Sequence, residues 1–225
     1  AIYWNEKGTN LLYNYSTTEA IKAYDKAIEL DSSNAKFRRD SAEAYLRRSL
    51  ELLTEMEKKA KNDPLFIESD YKKQINETLE KYLKNIEQAT KIEPENAENW
   101  NALGVAYKEY LSKPEKAIEP FQRAVKLEPK NDRYWFHLGA TFLKTEKYDN
   151  ALSALSKAIR LNKNKADYWG FLGLTYLNIE WLNDEEKLKK AKIAFENAMQ
   201  LNPDEKDKKI YTALLTKIKE ELDNR

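Results

Sequence analysis

The stretch that decides the fold runs from Trp100 to Pro129 and reads WNALGVAYKEYLSKPEKAIEPFQRAVKLEP. Its apolar residues recur at intervals of three and four, which places them along one face of a helix. The apolar pattern breaks once near the middle, so the stretch predicts two amphipathic helices rather than one. Pro129 follows the second helix, where a proline prevents continuation.

Three other parts of the chain repeat this order of residues. The copies contain, in turn, Trp4, Gly8, Leu11, Ala20, Tyr24 and Ala27; Trp135, Leu138, Gly139, Phe142, Ala151, Leu155 and Ala158; and Trp169, Leu172, Gly173, Tyr176, Ala191, Phe195, Ala198 and Pro203. The interval from Trp135 to Trp169 is about 34 residues, and that from Trp100 to Trp135 is one residue longer. Such a period is the signature of a repeat protein whose units stack to bury one continuous core.

The recurring order of an aromatic residue, Leu-Gly, Tyr, Ala, an aromatic residue, Ala and Pro resembles the tetratricopeptide repeat, and the resemblance covers nearly the whole chain. It implies an all-α fold: a right-handed superhelical solenoid of antiparallel helix pairs that ends in a C-terminal capping helix. The implied segments are repeat 1 at 1–34, repeat 2 at 35–96, repeat 3 at 97–131, repeat 4 at 132–165, repeat 5 with a short insertion at 166–205, and the capping helix at 206–225. The capping helix is expected to turn Ile210, Leu214, Leu215 and Ile218 inward.

Repeat 2 is degenerate and carries a long insertion. Arg38 occupies its tryptophan site, and the distance from Arg38 to Trp100 is nearly twice the basic period. The insertion, at about 46–82, reads as a helical hairpin that extends about 20 Å beyond the neighbouring pairs, at about 1.5 Å per helical residue. One stripe of its first arm consists of Leu46, Leu50, Leu53, Met56 and Ala60.

The tip of this hairpin contains Asp63 as a predicted N-cap and Pro64 as the predicted first residue of the second arm. Leu65, Phe66 and Ile67 follow, where solvent would be expected. Two readings are open: these side chains staple the turn internally, or they form a second contact point for a partner or another copy.

The glycines support the repeat. Gly8, Gly104, Gly139 and Gly173 fall on one site, and only Gly170 does not. Because a glycine inside a helix costs about 1 kcal/mol relative to alanine, we expect close approach of the partner helix as compensation. A phosphate-binding loop would need its glycines before a helix N-terminus, a pattern that this sequence lacks.

The first helices line a concave face in the family that the sequence resembles. The residues placed there by register are Asn101, Val105, Lys108, Arg133, Phe136, Ala140, Leu143, Lys144, Gly170, Leu174, Leu177 and Asn178. Because this surface is apolar across repeats 4 and 5, we expect it to receive an apolar or aromatic-bearing peptide or a helix. Ala140 and Gly170 would leave room for a partner's side chain. The alternative is that the superhelix or the C-terminal helix covers these residues.

Composition argues against several other functions. Lys plus Arg (39) nearly balances Asp plus Glu (38), so the chain has no general attraction to nucleic acid or anionic membranes. The local cluster Arg38, Arg39, Arg47 and Arg48 leaves RNA as a minor alternative. There is no cysteine, and His137 is the only histidine, so no metal site, cofactor site or catalytic triad is predicted.

The sequence therefore predicts a non-catalytic protein-binding scaffold with no cofactor and no small-molecule substrate. The alternative is a structural protein that self-associates through the hairpin or the groove. No segment approaches the roughly 20 apolar residues that cross a bilayer, so membrane insertion by this chain is not expected. A cytoplasmic setting is the expectation. Because the chain begins at Ala1 without methionine, an exported or membrane-tethered parent protein is the alternative.

Overall fold

A computed structural model describes residues 1–63, 65–180 and 182–224. All regular structure in these ranges is helical, which confirms the predicted all-α fold. The helices are α1 (Ile2–Tyr13), α2 (Thr17–Leu30), α3 (Ala35–Asn62), α4 (Ser69–Ile92), α5 (Ala97–Val105), α6 (Pro114–Leu127), α7 (Asp132–Lys144), α8 (Tyr148–Leu161), α9 (Ala166–Asn178), α10 (Asp184–Gln200) and α11 (Glu205–Asp223), with a π-helical segment at Ala106–Tyr110.

The chain forms two compact units, which we call the N-terminal unit (Ala1–Ala106) and the C-terminal unit (Tyr107–Arg225). In the N-terminal unit α1 packs against α2, α3 against α4, and α2 against α3. In the C-terminal unit α7 packs against α8 and α9 against α10, while α6 packs against α7 and α8 against α9. Each unit is thus built from antiparallel pairs in which every second helix also contacts the first helix of the next pair.

The repeated glycines lie where helices of one pair approach each other. A Cβ atom at Gly8 would lie 2.7 Å from Cε1 of Tyr24, and one at Gly139 would lie 2.7 Å from Cγ of Leu155. At Gly173 the nearest atom would be Cε1 of Phe195, also at 2.7 Å. The predicted close approach is confirmed at these three sites, because any larger residue would overlap the facing ring or side chain.

Three of the repeated tryptophans bond to the linker that precedes their helix. The indole Nε1 of Trp100 donates a hydrogen bond to the carbonyl oxygen of Pro94, at 2.7 Å. Trp135 donates in the same way to Pro129 and Trp169 to Lys163, both at 2.9 Å. The acceptor is a main-chain carbonyl, so Lys163 serves as well as the proline found at the other sites.

The helices of the hairpin are the longest of the chain: α3 has 28 residues and α4 has 24, whereas α1 has 12. The predicted stripe of α3 is not its buried face, since Leu50 and Leu53 are 49% and 38% exposed. Tyr45, Ser49 and Leu52 are buried instead. Tyr45 occupies the tyrosine site of the repeat and faces inward, and steps of four and three from it lead to Ser49 and Leu52.

The predicted start of the second arm is also wrong. Asp63 ends α3, with its backbone N–H donating to the carbonyl of Lys59, and α4 begins only at Ser69. The Asp63 carboxylate accepts the N–H of Leu65 at 2.9 Å, so it stabilises a turn in place of a helix start. Pro64 lies outside the described residues.

A single extra residue explains the π-helical segment at Ala106–Tyr110. The interval from Trp100 to Ala117 is one residue longer than the corresponding interval from Trp135 to Ala151. A π-helical turn accommodates one residue more than the α-helical turn that it replaces. The extra residue between Trp100 and Trp135 therefore indicated the π-helical segment in the sequence.

The C-terminal helix α11 packs against α10, and of the four residues predicted to face inward only Ile210 is exposed. Ile210, expected inward, is 43% exposed, whereas Tyr211 and Ile218 are 4% and 2% exposed. Leu214 and Leu215 are half-buried against the same cluster. Tyr211, beside Ile210, is the residue that packs against Gly170 of α9.

Candidate functional site

The predicted groove residues of the C-terminal unit centre on one face of α7. Arg133 and Lys144 are exposed near its two ends, while Phe136 and Leu143 are half-buried between them. Ala140 is only 2% exposed, so its small side chain lies beneath its neighbours and offers no open pocket for a partner. The face is therefore a shallow strip with a cation at each end and apolar surface between.

Phe136 is held by the next helix pair. Its ring stacks on Tyr168 with centroids 4.7 Å apart and meets the edge of Phe171 at 5.1 Å. Tyr168 is fixed in turn, because its hydroxyl donates to the Asp132 carboxylate at 2.8 Å. Phe136 thus helps to join α7 and α9, and only part of its ring can meet a partner.

The charged groups near α7 shift the pKa values of His137 and Glu109. Lys108 is 13% exposed and pairs with Glu109 at 2.8 Å. Burial, together with the nearby Lys108 and Arg133 cations, lowers the pKa of His137 to about 4, so this imidazole is neutral at pH 7. Burial works to raise the pKa of Glu109, but Lys108, with help from Lys144, outweighs it and holds that pKa below its usual range. His137 is thus a buried, uncharged imidazole beside the Lys108 and Arg133 cations.

The predicted groove residues of α9 are covered by the chain itself. A Cβ atom at Gly170 would lie 2.0 Å from the hydroxyl oxygen of Tyr211, so α11 fills the space that the sequence assigned to a partner's side chain. Leu174 and Leu177 pack against the cluster formed by α10 and α11. Asn178 is exposed, and its amide donates to the carbonyl of Leu174 at 2.8 Å. The accessible part of the predicted groove is therefore smaller at α9 than at α7, because α11 covers residues of α9.

The two predicted groove residues of α5, in the N-terminal unit, are not equally accessible. Asn101 is 5% exposed, and Val105 is half-buried. A partner could reach Val105 but not the Asn101 side chain.

At the hairpin tip the structure separates Phe66 from its two apolar neighbours. Phe66 meets the edge of the Tyr71 ring at 5.6 Å, and the Lys59 ammonium lies 5.2 Å from the centre of that ring. Leu65 and Ile67 point away and are 87% and 75% exposed. Phe66 staples the turn, whereas its two neighbours present apolar surface to solvent.

The basic cluster of α3 is engaged within the protein. Arg39 pairs with Glu93, and Arg38 donates to the side chain of Asn85 at 3.3 Å. Arg47 donates to the carbonyl of Leu12 at 3.0 Å, and Arg48 pairs with Glu55 at the same distance. A phosphate backbone would have to compete with these contacts, which argues against an RNA site here.

Within the described residues, no three His, Asp or Glu side chains lie close enough to hold a metal ion. None of the helices in these ranges combines the length and the apolarity of a bilayer span.

These features define a class: an all-helical repeat protein in which equivalent glycine contacts recur at Gly8, Gly139 and Gly173 and equivalent indole hydrogen bonds at Trp100, Trp135 and Trp169. Family models of the tetratricopeptide repeat match residues 1–34 and 107–167. The chain is a tetratricopeptide-repeat protein. Proteins with this fold are generally interaction modules without catalytic activity.

Solved structures share the fold. YrrB, described as a TPR protein with an unusual peptide-binding site, is 22% identical, with 95% of this chain and 92% of that chain covered and a TM-score of 0.69. MamA is 16% identical over 89% of this chain and 90% of its own, with a TM-score of 0.69. A thermophilic TPR protein of Thermus thermophilus is 15% identical over 95% and 98% of the two chains, with a TM-score of 0.54. A search among curated proteins found no match.

Proposed function

We propose that this protein is a non-catalytic scaffold that binds a segment of a partner protein on the α7 face of its C-terminal unit. The observation that carries the proposal is the arrangement on that face, where half-buried Leu143 and Phe136 lie between exposed Arg133 and Lys144. Partly exposed apolar surface bordered by charge is typical of protein interaction sites.

The face favours a peptide that carries an apolar or aromatic side chain together with a carboxylate. Arg133 and Lys144 are eleven residues apart, or about 16 Å along the helix. An extended peptide of about five residues, at about 3.3 Å each, spans this distance. Leu143 would meet the apolar side chain, and either cation would pair with the acidic group.

The likeness to YrrB supports a peptide ligand, since that protein is described as having a peptide-binding site. The coverage of α9 by α11 also agrees with a short ligand, because Gly170 and Leu174 are not free to lengthen the strip.

The test is a peptide-array screen followed by fluorescence anisotropy with the best binder. Lys144→Glu should weaken binding of an acidic, apolar peptide at least about tenfold. Arg160→Glu is the matched control, because Arg160 also lies in the last turn of its helix and both changes disturb the helix dipole alike. Equal affinities of the two variants would contradict the proposal.

The apolar part of the face needs its own variant. Leu143→Ser should weaken the same peptide, whereas Leu161→Ser, at the end of α8, should not. Phe136 is unsuitable for this purpose, since its contacts with Tyr168 and Phe171 make it part of the core between two helix pairs.

A second candidate function is self-assembly through the hairpin tip, favoured by the exposure of Leu65 (87%) and Ile67 (75%). Sedimentation velocity over a concentration series tests it. Concentration-dependent association that disappears in a Leu65→Ser, Ile67→Ser variant would support assembly, and a strictly monomeric protein would exclude it.

A further inference from the structure

A line of residues on α3 follows the spacing of a helix–helix seam. From Glu43 it passes through Leu46, Leu50 and Leu53 to Glu57, in alternating steps of three and four. Leu46 is half-buried, and Leu50 and Leu53 are 49% and 38% exposed. We call these five residues the α3 seam.

The α3 seam is not required to close the hairpin. The face of α3 that meets α4 is formed by Tyr45, Ser49 and Leu52, which are 5%, 3% and 2% exposed. The Ser49 hydroxyl shares a hydrogen bond with the hydroxyl of Thr78 of α4 at 2.7 Å, which fixes this orientation. The seam leucines lie on a separate side of the helix, where Leu50 and Leu53 are exposed and Leu46 is half-buried.

We propose that the α3 seam is a second interaction surface, which binds an amphipathic helix of a partner protein with apolar residues along one face and a basic residue at each end. Alternating steps of three and four are the spacing at which side chains of one helix fit between those of another. From Glu43 to Glu57 is fourteen residues, or about 21 Å, so a partner helix of about four turns covers the seam.

Charge selects the partner. Glu43 and Glu57 are both exposed, and neither forms an ion pair in the part of the chain that the structure describes. Arg39, the next residue of the line, does not neutralise Glu43, because it pairs with Glu93. A lysine or arginine at each end of the bound helix would complement the two carboxylates.

The same charges disfavour a second copy of this chain as the occupant. In a parallel pairing each glutamate would face its own counterpart. In an antiparallel pairing centred on the leucines, Glu43 would lie at the end occupied by Glu57 of the other copy. Like charges at both ends oppose either arrangement, whereas a basic partner meets no such penalty.

The test uses the intact chain and a labelled helical peptide of about 18 residues, with three leucines at the spacing of the seam and one lysine beyond each end. Fluorescence anisotropy should show saturable binding, and Leu50→Asp should weaken it at least about tenfold. The matched control is Ile193→Asp on α10, since Ile193 is 58% exposed and Leu50 is 49% exposed. Circular dichroism checks that both variants remain helical.

A charge exchange makes the test independent of the leucines. A Glu43→Lys, Glu57→Lys variant should lose affinity for the lysine peptide and gain it for the same peptide with glutamates in those positions. Absence of binding by the unmodified chain, or equal affinities of all variants, would overturn the proposal. A dimer of the peptide-free chain that dissociates on Leu50→Asp would also overturn it, in favour of a second copy. Lys144→Glu, on the α7 face, should not change binding of this peptide, so the two surfaces can fail separately.

Discussion

Tyr211 covers Gly170: a Cβ atom on that glycine would lie 2.0 Å from the tyrosine hydroxyl oxygen and 2.4 Å from the ring carbon that bears it. Gly170 is the one glycine outside the repeat pattern, and it admits a residue of α11 rather than the facing helix of its own pair. The C-terminal helix therefore occupies part of the face on which the sequence predicted a partner.

Gly170→Ala should destabilise the protein by up to about 2 kcal/mol. Alanine gains about 1 kcal/mol in a helix relative to glycine, but overpacking a close contact costs about 1–3 kcal/mol. Urea unfolding measures the difference. With Tyr211→Leu the overlap is relieved, and the same alanine should become neutral or stabilising. A destabilisation that persists unchanged in that background would contradict the assigned contact.

Tyr45→Phe should reduce the free energy of unfolding by about 1–2 kcal/mol. The Tyr45 hydroxyl donates to the Asp25 carboxylate at 2.7 Å, and the tyrosine is 5% exposed, so its loss leaves a partly buried carboxylate with one partner fewer. Tyr13→Phe, at a site 84% exposed, is the control and should change the free energy of unfolding little. Similar losses in the two variants would argue against the hydrogen bond.

Stability should fall in acid because of His137. Its pKa is lowered to about 4 in the folded protein, from about 6.5 in an unfolded chain. Between these values the unfolded state binds more protons, so the free energy of unfolding decreases as the pH falls from about 7 to about 4, by roughly 3 kcal/mol at most. Chemical unfolding at both ends of this range, compared with His137→Gln, isolates the effect. A variant with the same pH dependence as the unmodified protein would exclude it.

Asn183→Ala should cost about 1 kcal/mol of stability. The side chain of Asn183 accepts the N–H of Glu186 at 2.9 Å and caps α10. Ser16 is a matched control, because it precedes α2 in the same position but makes no side-chain cap bond. Thermal unfolding of both variants measures the difference. Ser16→Ala should be nearly neutral, because it removes no side-chain cap bond.

The helix pairs can be predicted well from the sequence, because the residues that recur at a fixed spacing are also those at which the helices pack closely. Gly8, Gly139 and Gly173 mark sites where only a hydrogen atom fits, and such positions can be recognised from their recurrence alone. The start of α4 could not be found in this way. Asp63 can cap either a helix or a turn, and the choice depends on the tip as a whole.

The site was harder to predict than the fold. The stacking of Phe136 on Tyr168 depends on how two helix pairs meet, and the spacing of residues within one repeat does not reveal it. The burial of Gly170 depends on Tyr211, which lies two helices further along the chain and outside the repeat. The orientation of α3 was available from the sequence, since Tyr45 at the tyrosine site fixes which side of the helix faces inward.

The indole hydrogen bonds to Pro94, Pro129 and Lys163 make three connections between repeats equivalent. In each connection the tryptophan donates to the main-chain carbonyl six residues before it. The bond does not depend on the side chain of the residue that supplies this carbonyl. If the segment between two successive tryptophans were removed or duplicated, the new linker would make the same hydrogen bond. Gene duplication or deletion in steps of one whole repeat could thus lengthen or shorten the protein without a new linker having to evolve.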